Sequence, residues 1–589
     1  MRSECILEIT AWSFQIDQDE IGVENGWQSP ELDRSSWRDV AAPGAWDFYS
    51  RALRGYQGVG WLAATIPSVV FSEGMSHELR FSGVGGKATV FVDGLPAGQN
   101  NIRYLPFSVS IDRAENDRSD VSVVVRVDNR PSRDSLPGAD KIEWVLFGGL
   151  IQRVDVLKHP IVRIEHVAIR AVPTQGGGTV DATATIANAS DRPITGSLLC
   201  EIQGHPECRT KTDFRCDGAA SVAVEVAVNP LGSVDLWDFD NPALYLLTTT
   251  LVLDEIEVHQ RDDRFGFRSV ETVGSEIRLN GRKIFLKGFS RYDDYSPYGP
   301  CPPRDVIRAD LERIKKTGAN IIRIHYPQDP VHLDIADEIG LLYMQEVPIC
   351  WWRPEPGDTP EMHSALIAEA NEALVRIFTR DGNHPSWIIW SMGNENNSFT
   401  PVGRQVMGEL VSHARRLDKS RLMTWVCDVP PDADEFNGAD LVGVNLYLGV
   451  FHGEGPAVGI GDFTELVEHP TRSVLERLAR DYEDKPIIVS EFGTAGIDGL
   501  HGDIRFSSSY QAKMLEVMWD VITTSSGVAG GIMWCWADYA HQRDFVGDSD
   551  RGHLNGTYGP FGVVTEDRRR KDEPYKAVVQ MFGGVDDGE

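Results

Sequence analysis

Two rhythms of apolar and polar residues divide the chain. Up to about residue 270, apolar and polar residues alternate in short runs separated by Gly, Pro, Asn and Asp. Examples are Glu78-Leu-Arg-Phe-Ser, Ala88-Thr-Val-Phe-Val and Val121-Ser-Val-Val-Val-Arg-Val, and the Asp93-Gly94 pair after the second is a hairpin signal. A period of two predicts strands with one buried face. Residues 1–160 therefore read as one all-β unit whose tryptophans, Trp12, Trp27, Trp37, Trp46 and Trp61, mostly fill a sandwich core. Residues 161–272 continue with short strands such as Arg163-Ile-Glu-His-Val-Ala-Ile and Leu244-Tyr-Leu-Leu-Thr-Thr-Thr-Leu-Val-Leu. Their regular spacing predicts an immunoglobulin-like sandwich.

From residue 273 the rhythm becomes strand, then helix, repeated. Predicted strands are Lys283–Gly288, Ile321–His325, Leu342–Glu346, a fourth from Trp387, Leu422–Cys427, Leu441–Tyr447, Pro486–Glu491 and Gly531–Trp536. Helices are predicted over Asp305–Thr317, through Ile335, over Ala365–Phe378, Val402–Leu417, Ser473–Tyr482 and Tyr510–Thr523, and from Glu573. The fourth strand, Trp387-Ile-Ile-Trp-Ser, is apolar on both faces, as in a parallel strand covered on both sides. Such alternation predicts a C-terminal (β/α)₈ barrel over residues 273–589.

In a barrel the C-terminal strand ends meet on one rim. The polar residues there are Arg291, Asp293, Arg323, His325, Glu346, Asn394, Glu395, Asn445, Tyr447, Glu491, Trp534, Trp536 and Asp538. As a set they are hard to explain as packing. Singly, Arg323 and Glu346 also fit a buried ion pair, Trp390 a barrel filler and His384 a loop tie. Glu395 ends strand four and Glu491 ends strand seven, on opposite sides of the mouth. Two facing carboxylates suit glycoside hydrolysis, one protonated as the acid and the other attacking carbon or activating water. A separation of about 5–5.5 Å goes with retention and about 6.5–9.5 Å with inversion. Asn394 could bond a sugar 2-hydroxyl, and Tyr447 could bond Glu491 and keep it ionised. Trp534 and Trp536 offer platforms for a sugar face, and Trp351 and Trp352 a wall after strand three.

Composition narrows the partners. The 589 residues carry a formal net charge of −31, which disfavours nucleic acid and anionic membrane. No apolar run is long enough to span a bilayer, and the N-terminus lacks the pattern of a signal peptide, so a cytoplasmic enzyme is expected. The eight cysteines show no metal-ligand spacing and read as free thiols, one disulfide among Cys200, Cys208 and Cys216 remaining open. Phosphate-loop, dinucleotide and zinc motifs are missing from the barrel sequence, so no cofactor or metal is implied.

Several motifs resemble glycoside hydrolase family two, the β-galactosidases, β-glucuronidases and β-mannosidases. Tyr56-Gln-Gly-Val-Gly-Trp61, Phe91-Val-Asp-Gly94, Pro106-Phe107 and Phe147-Gly-Gly-Leu150 with Arg153 resemble its N-terminal sugar-binding jelly roll. Phe265-Gly-Phe-Arg268 and the run from Leu279 to Gly288 resemble its barrel entry. Asn383-His-Pro-Ser through Asn394-Glu395 resembles the acid/base signature, and Pro486-Ile-Ile-Val-Ser-Glu-Phe-Gly493 the nucleophile signature. The resemblance implies Glu395 as acid/base, Glu491 as nucleophile, a retaining reaction and possible homo-oligomers. Asn445-Leu-Tyr-Leu-Gly449 and Gly496-Ile-Asp-Gly-Leu-His501 resemble the β-glucuronidase branch. Against that, Ser290-Arg-Tyr-Asp-Asp294 puts Tyr292 where the family has His, and Asn555-Gly-Thr557 lacks the Lys of the branch's Asn-x-Lys motif. Arg551 and Arg568 are the remaining candidates to hold a uronate. The expected function is an exo-acting retaining β-glycosidase acting on a small or oligosaccharide β-glycoside. The alternatives are a hydrolase or transglycosylase for an uncommon sugar such as a β-galactofuranoside, and a non-catalytic carbohydrate-binding protein.

Overall fold

The computed structural model describes residues 2–72, 74–111, 119–355, 357–428, 436–540 and 558–586. Two sheets form the N-terminal unit. The smaller runs Glu4–Glu8, Val154–Pro160, Met75–Phe81, Phe107–Ser110 in spatial order, and the larger is centred on Val59–Ile66 and Val121–Asp128. Val121, Val123, Val125 and Val127 face the inter-sheet core, while Val124 meets Trp37, Trp61 and Phe91 on the opposite face. Asp93 and Gly94 take positive φ of 49° and 79° at the tip of a hairpin that pairs Val92 with Leu95, the geometry a type I′ turn requires.

A second sandwich packs Val162–Thr174, Gly177–Asn188 and Ala220–Leu231 against His205–Cys216, Ile194–Ile202, Tyr245–Leu253 and Ile256–Phe265. Cys200, Cys208 and Cys216 are separate buried thiols; all eight cysteines are free.

The C-terminal region is a closed parallel barrel. Its strands are β1 (Leu286–Ser290), β2 (Ile321–Arg323), β3 (Leu342–Glu346), β4 (Trp387–Asn394), β5 (Leu422–Cys427), β6 (Val442–Leu446), β7 (Ile487–Phe492) and β8 (Val528–Met533). Around it lie α1 (Arg304–Lys316), α2 (Val331–Ile339), α3 (Pro360–Asp381), α4 (Pro401–Leu417), α5 (His469–Asp481), α6 (Ser508–Thr524) and α7 (Asp572–Phe582). Thr359, Thr400 and Ser507 cap α3, α4 and α6 by accepting backbone N–H bonds, which sets where those helices begin.

The first and eighth strands differ most from their predicted bounds, whereas the second, sixth and seventh differ by one or two residues at an end. Asn280 and Gly281 make a positive-φ turn that folds Arg282–Ile284 back as an antiparallel hairpin, so β1 begins only at Leu286. β8 ends at Met533, which leaves Trp534 and Trp536 in the loop beyond it.

Residues of the first unit also belong to the barrel's own core. Leu136, Ile142, Trp144, Leu146 and Phe147 pack with Tyr292, Tyr326, Ile349 and Trp352. The segment carrying them closes one side of the barrel mouth.

Candidate active site

Backbone irregularities aim the two carboxylates. On β4, Ser391 pairs with Thr424 but Asn394 pairs with Val426, so one residue is extra, and Gly393 takes φ +144°. A Cβ on Gly393 would sit 2.7 Å from the Ile349 carbonyl, too close for any other residue. Glu395 follows with φ +50°, a conformation a side chain other than glycine rarely adopts. On β7, Val489 pairs with Val444 but Glu491 with Asn445, leaving Ser490 as the extra residue. Each catalytic candidate thus stands just beyond or inside a β-bulge, a device that re-aims side chains at barrel rims.

The environments of the two acids are opposite. Glu491 accepts from Arg323 Nη1 at 2.6 Å and from the Tyr447 hydroxyl at 2.7 Å, with His325 Nε2 at 3.4 Å. Burial alone would raise its pKa. The Arg323 guanidinium, with His325 and Tyr447, overrides burial and holds Glu491 below the usual carboxylate range. Arg323 also donates to Glu346 and to Asn394 Oδ1, each at 2.8 Å. Glu346 in turn accepts from His325 Nδ1 and Ser391 Oγ, both at 2.8 Å. Burial and Arg323 lower the His325 pKa, yet Glu346 and Glu491 lift it to about 9, so its imidazole is a cation at neutral pH.

Glu395 has no cationic partner among the described residues. It accepts from Asn445 Nδ2 at 2.8 Å and from Trp351 Nε1 at 2.7 Å. Burial first, then the negative charges of Glu491 and Asp428, push its pKa up to about 7. Asn445 Nδ2 also reaches Asn394 Oδ1 at 3.1 Å, and Ser490 Oγ donates to Asn445 Oδ1 at 2.9 Å. One amide therefore ties the acid-bearing strands β4 and β7 together. The outcome is one carboxylate held ionised and one that keeps its proton up to about neutrality.

An aromatic collar surrounds the pair. Trp144 lies parallel to His325 at 5.8 Å, and Trp534 lies 5.2 Å from His325. Tyr292 packs 5.2 Å from Trp534 and 5.0 Å from Tyr539. Trp534 Nε1 donates to the Tyr539 hydroxyl at 3.0 Å, and that hydroxyl donates to Glu143. Glu143 and Trp144 come from the N-terminal unit, outside any periodic run, and went unnoticed in the sequence. Their nearest signal was the Phe147-Gly-Gly-Leu150 motif that follows them.

The predicted rim residues do not all share this site. Arg323, His325, Glu346, Asn394, Glu395, Asn445, Tyr447 and Glu491 form one hydrogen-bonded cluster, with Trp534 in the collar. Asp293 stands one layer back, accepting from the Tyr326 hydroxyl at 2.7 Å, its pKa raised by burial to about 6. Trp536 is no sugar platform. It is fully buried, donates to Asp310 on α1 at 2.7 Å and packs on Phe289, because three residues past the end of β8 it points into the barrel wall. Arg568 is neither an exposed loop charge nor a uronate clamp, since Asp310 at 3.1 Å and two backbone carbonyls occupy its guanidinium. Asp538 is bound to Lys571 at 2.6 Å. Of the two predicted wall residues, Trp351 reaches Glu395 whereas Trp352 is buried beneath the loop. Asn555 and Arg551 lie outside the described residues.

Known proteins carry the same architecture. The TIM barrel domain of glycosyl hydrolases family 2 matches residues 270–573, and the family's preceding domain matches residues 162–268. A β-glucuronidase of Paenibacillus borealis is 26% identical over 587 residues, 95% of this chain and 94% of that protein. A β-galactosidase of Thermoanaerobacterium thermosulfurigenes is 27% identical over 496 residues, 82% of this chain and 64% of that protein. The fold superposes on a β-galacturonidase from Eisenbergiella tayi bound to galacturonate, with a TM-score of 0.84, 24% identity and coverage of 99% and 98% of the two chains. The family model covers more than half of the residues, and the chain belongs to glycosyl hydrolase family 2, as a glycoside hydrolase.

Proposed function

We propose that the protein is an exo-acting retaining β-glycosidase in which Glu491 is the nucleophile and Glu395 the acid/base. The opposed protonation of the two acids carries this reading. Glu491, kept ionised by Arg323, His325 and Tyr447, attacks the anomeric carbon, while protonated Glu395 donates to the leaving oxygen. The glycosyl–enzyme bond removes the charge on Glu491. Part of what raises the Glu395 pKa is then gone, and the resulting carboxylate suits the base that takes a proton from incoming water. The wall from Glu143 to Phe147 closes one side of the mouth, which favours a pocket for one terminal sugar over a cleft for a chain. The names of the relatives support a terminal β-linked hexose or hexuronide as glycone.

Two measurements test this. The anomer first released from a cleaved aryl β-glycoside, followed by NMR, should be β. A 2-deoxy-2-fluoro glycoside should leave its sugar on the peptide containing Glu491. Release of the α-anomer, or labelling elsewhere, would overturn the assignment. A panel of nitrophenyl β-glycosides (galactoside, glucuronide, galacturonide, mannoside, glucoside and galactofuranoside) then identifies the sugar.

A further inference from the structure

The loop between β3 and α3 is held from two sides. Its Trp351 donates an indole N–H to Glu395 at 2.7 Å, and both residues sit at positive φ, +55° and +50°. A bulky residue keeps that backbone only where its surroundings impose it. One side of the hold is the end of β4. The Trp351 N–H donates to the Asn394 carbonyl at 3.0 Å, and the Trp352 N–H to Asn396 Oδ1 at 2.8 Å. The other side is the N-terminal unit, where the Pro137 carbonyl accepts from the Cys350 N–H at 3.0 Å.

Arg133 of that unit makes the larger connection. Its Nε and Nη2 donate to the two carboxylate oxygens of Asp358 at 2.9 and 2.6 Å, and Nη2 also donates to the Arg353 carbonyl at 2.9 Å. One guanidinium therefore joins both ends of the segment that follows Trp351. The Arg133 and Asp358 side chains are only 16% and 7% exposed, so this two-pronged pair is shielded from water and fixed in direction, unlike a single exposed pair. Glu355 and Asp140 also approach Arg133, at 3.3 and 3.9 Å, but both are mostly exposed and add little. Docking of the two units does not by itself call for this arrangement. Arg376 on α3 ties the same units together through Asn100 Oδ1 and the Leu105 and Pro106 carbonyls, with none of these bonds reaching the loop.

We propose that Arg133 is a positioning residue for the acid/base, through which the N-terminal unit holds the loop after β3 and keeps the Trp351 indole against Glu395. The proposal rests on the acid/base role given to Glu395 above. A general acid works only when its proton is aimed at the leaving oxygen, so a loosened loop costs most where the leaving group needs that proton.

The test uses the full-length protein and two β-glycosides of a sugar it cleaves, one with an alkyl and one with a dinitrophenyl leaving group. Dinitrophenolate departs without a proton and an alkoxide does not. Arg133→Met should raise the ratio of kcat/KM, dinitrophenyl over alkyl, about tenfold, and Asp358→Asn should do the same. Combining Arg133→Met with Trp351→Phe should raise the ratio no further than Trp351→Phe alone, because both changes act on one contact. Arg376→Met should lower the melting temperature and leave the ratio within twofold of wild type. A ratio within twofold of wild type in Arg133→Met, or in Asp358→Asn if only that variant folds, overturns the proposal. So does an equal rise in Arg376→Met, which assigns Arg133 to docking alone, or a full multiplication of the two effects in the double variant. If Glu395→Gln lowers both substrates alike, the acid/base reading itself falls.

Discussion

The two ends of the barrel each bury arginines, and they use them differently. At the floor, Arg268 donates to the backbone carbonyls of Pro385, Ser420 and Trp387, and Arg421 to those of Gly382, His384 and Trp387, with Asp418 as its one carboxylate. Arg421 also lies 4.1 Å over the Trp387 ring. At the mouth, Arg323 bonds Glu346, Glu491 and Asn394. Carbonyls do not titrate and carboxylates do. The floor arginines therefore lock the chain where β4 and β5 begin, whereas Arg323 sets which acid at the mouth carries charge. Equal burial serves rigidity at one end and proton bookkeeping at the other.

The most severe break should come from the mouth. Glu491→Gln should lower kcat/KM on a cleaved β-glycoside by roughly 10⁴-fold or more. Residual activity above a hundredth of wild type would remove Glu491 from the nucleophile's role. A paired experiment then separates the two ends. Arg323→Met leaves Glu346 and Glu491 buried without their cation and should cost about 3–5 kcal/mol of stability in urea denaturation. It should also move the acid limb of the pH–rate profile upward, because the charge that depressed the Glu491 pKa is gone. Arg421→Met should destabilise comparably while leaving that limb in place. If both variants shift the limb alike, the contrast between floor and mouth fails.

The sequence carried the parallel barrel because both-face burial and strand–helix alternation have few other solutions. It carried the rim cluster for a related reason, since polar residues that end apolar strands have one place to go. Strand ends were harder to read. The Asn280-Gly281 turn takes Lys283 and Ile284, the start of the predicted first strand, into a hairpin, and β8 stops before its two tryptophans. Trp536 was misplaced because alternation was carried along a strand that had already ended. Glu143 and Trp144 were invisible because a wall supplied by another domain has no period within the barrel's own sequence.

Stability should record the same contrast through Glu395. Its folded pKa, about 7, lies above the ordinary carboxylate value of 4.5. The folded state then holds this proton more tightly than the unfolded chain does. Stability from this group is present below about pH 4.5 and is lost as pH rises through about 7, where folding must bury the charge. Glu395→Gln should remove that penalty, stabilising the protein by about 3 kcal/mol at pH 8 and little at pH 4.5, while turnover of substrates with poor leaving groups collapses. Equal gains at both pH values would show that the effect comes from packing and not from the proton.

The smallest expected effect is the sharpest discriminator, because two tryptophans make the same bond in different places. Trp351 and Trp536 each donate an indole N–H to a carboxylate at 2.7 Å, the first to Glu395 and the second to Asp310. Trp351→Phe removes a donor that favours ionised Glu395, so the basic limb of kcat/KM should move upward by less than one pH unit. Trp536→Phe leaves Asp310 bound to Arg568 but short of one bond, and should cost about 1–2 kcal/mol without moving either limb. A downward shift for Trp351→Phe would mean that its indole does not act on the charged acid, and the asymmetry assigned to the mouth would lose one of its supports.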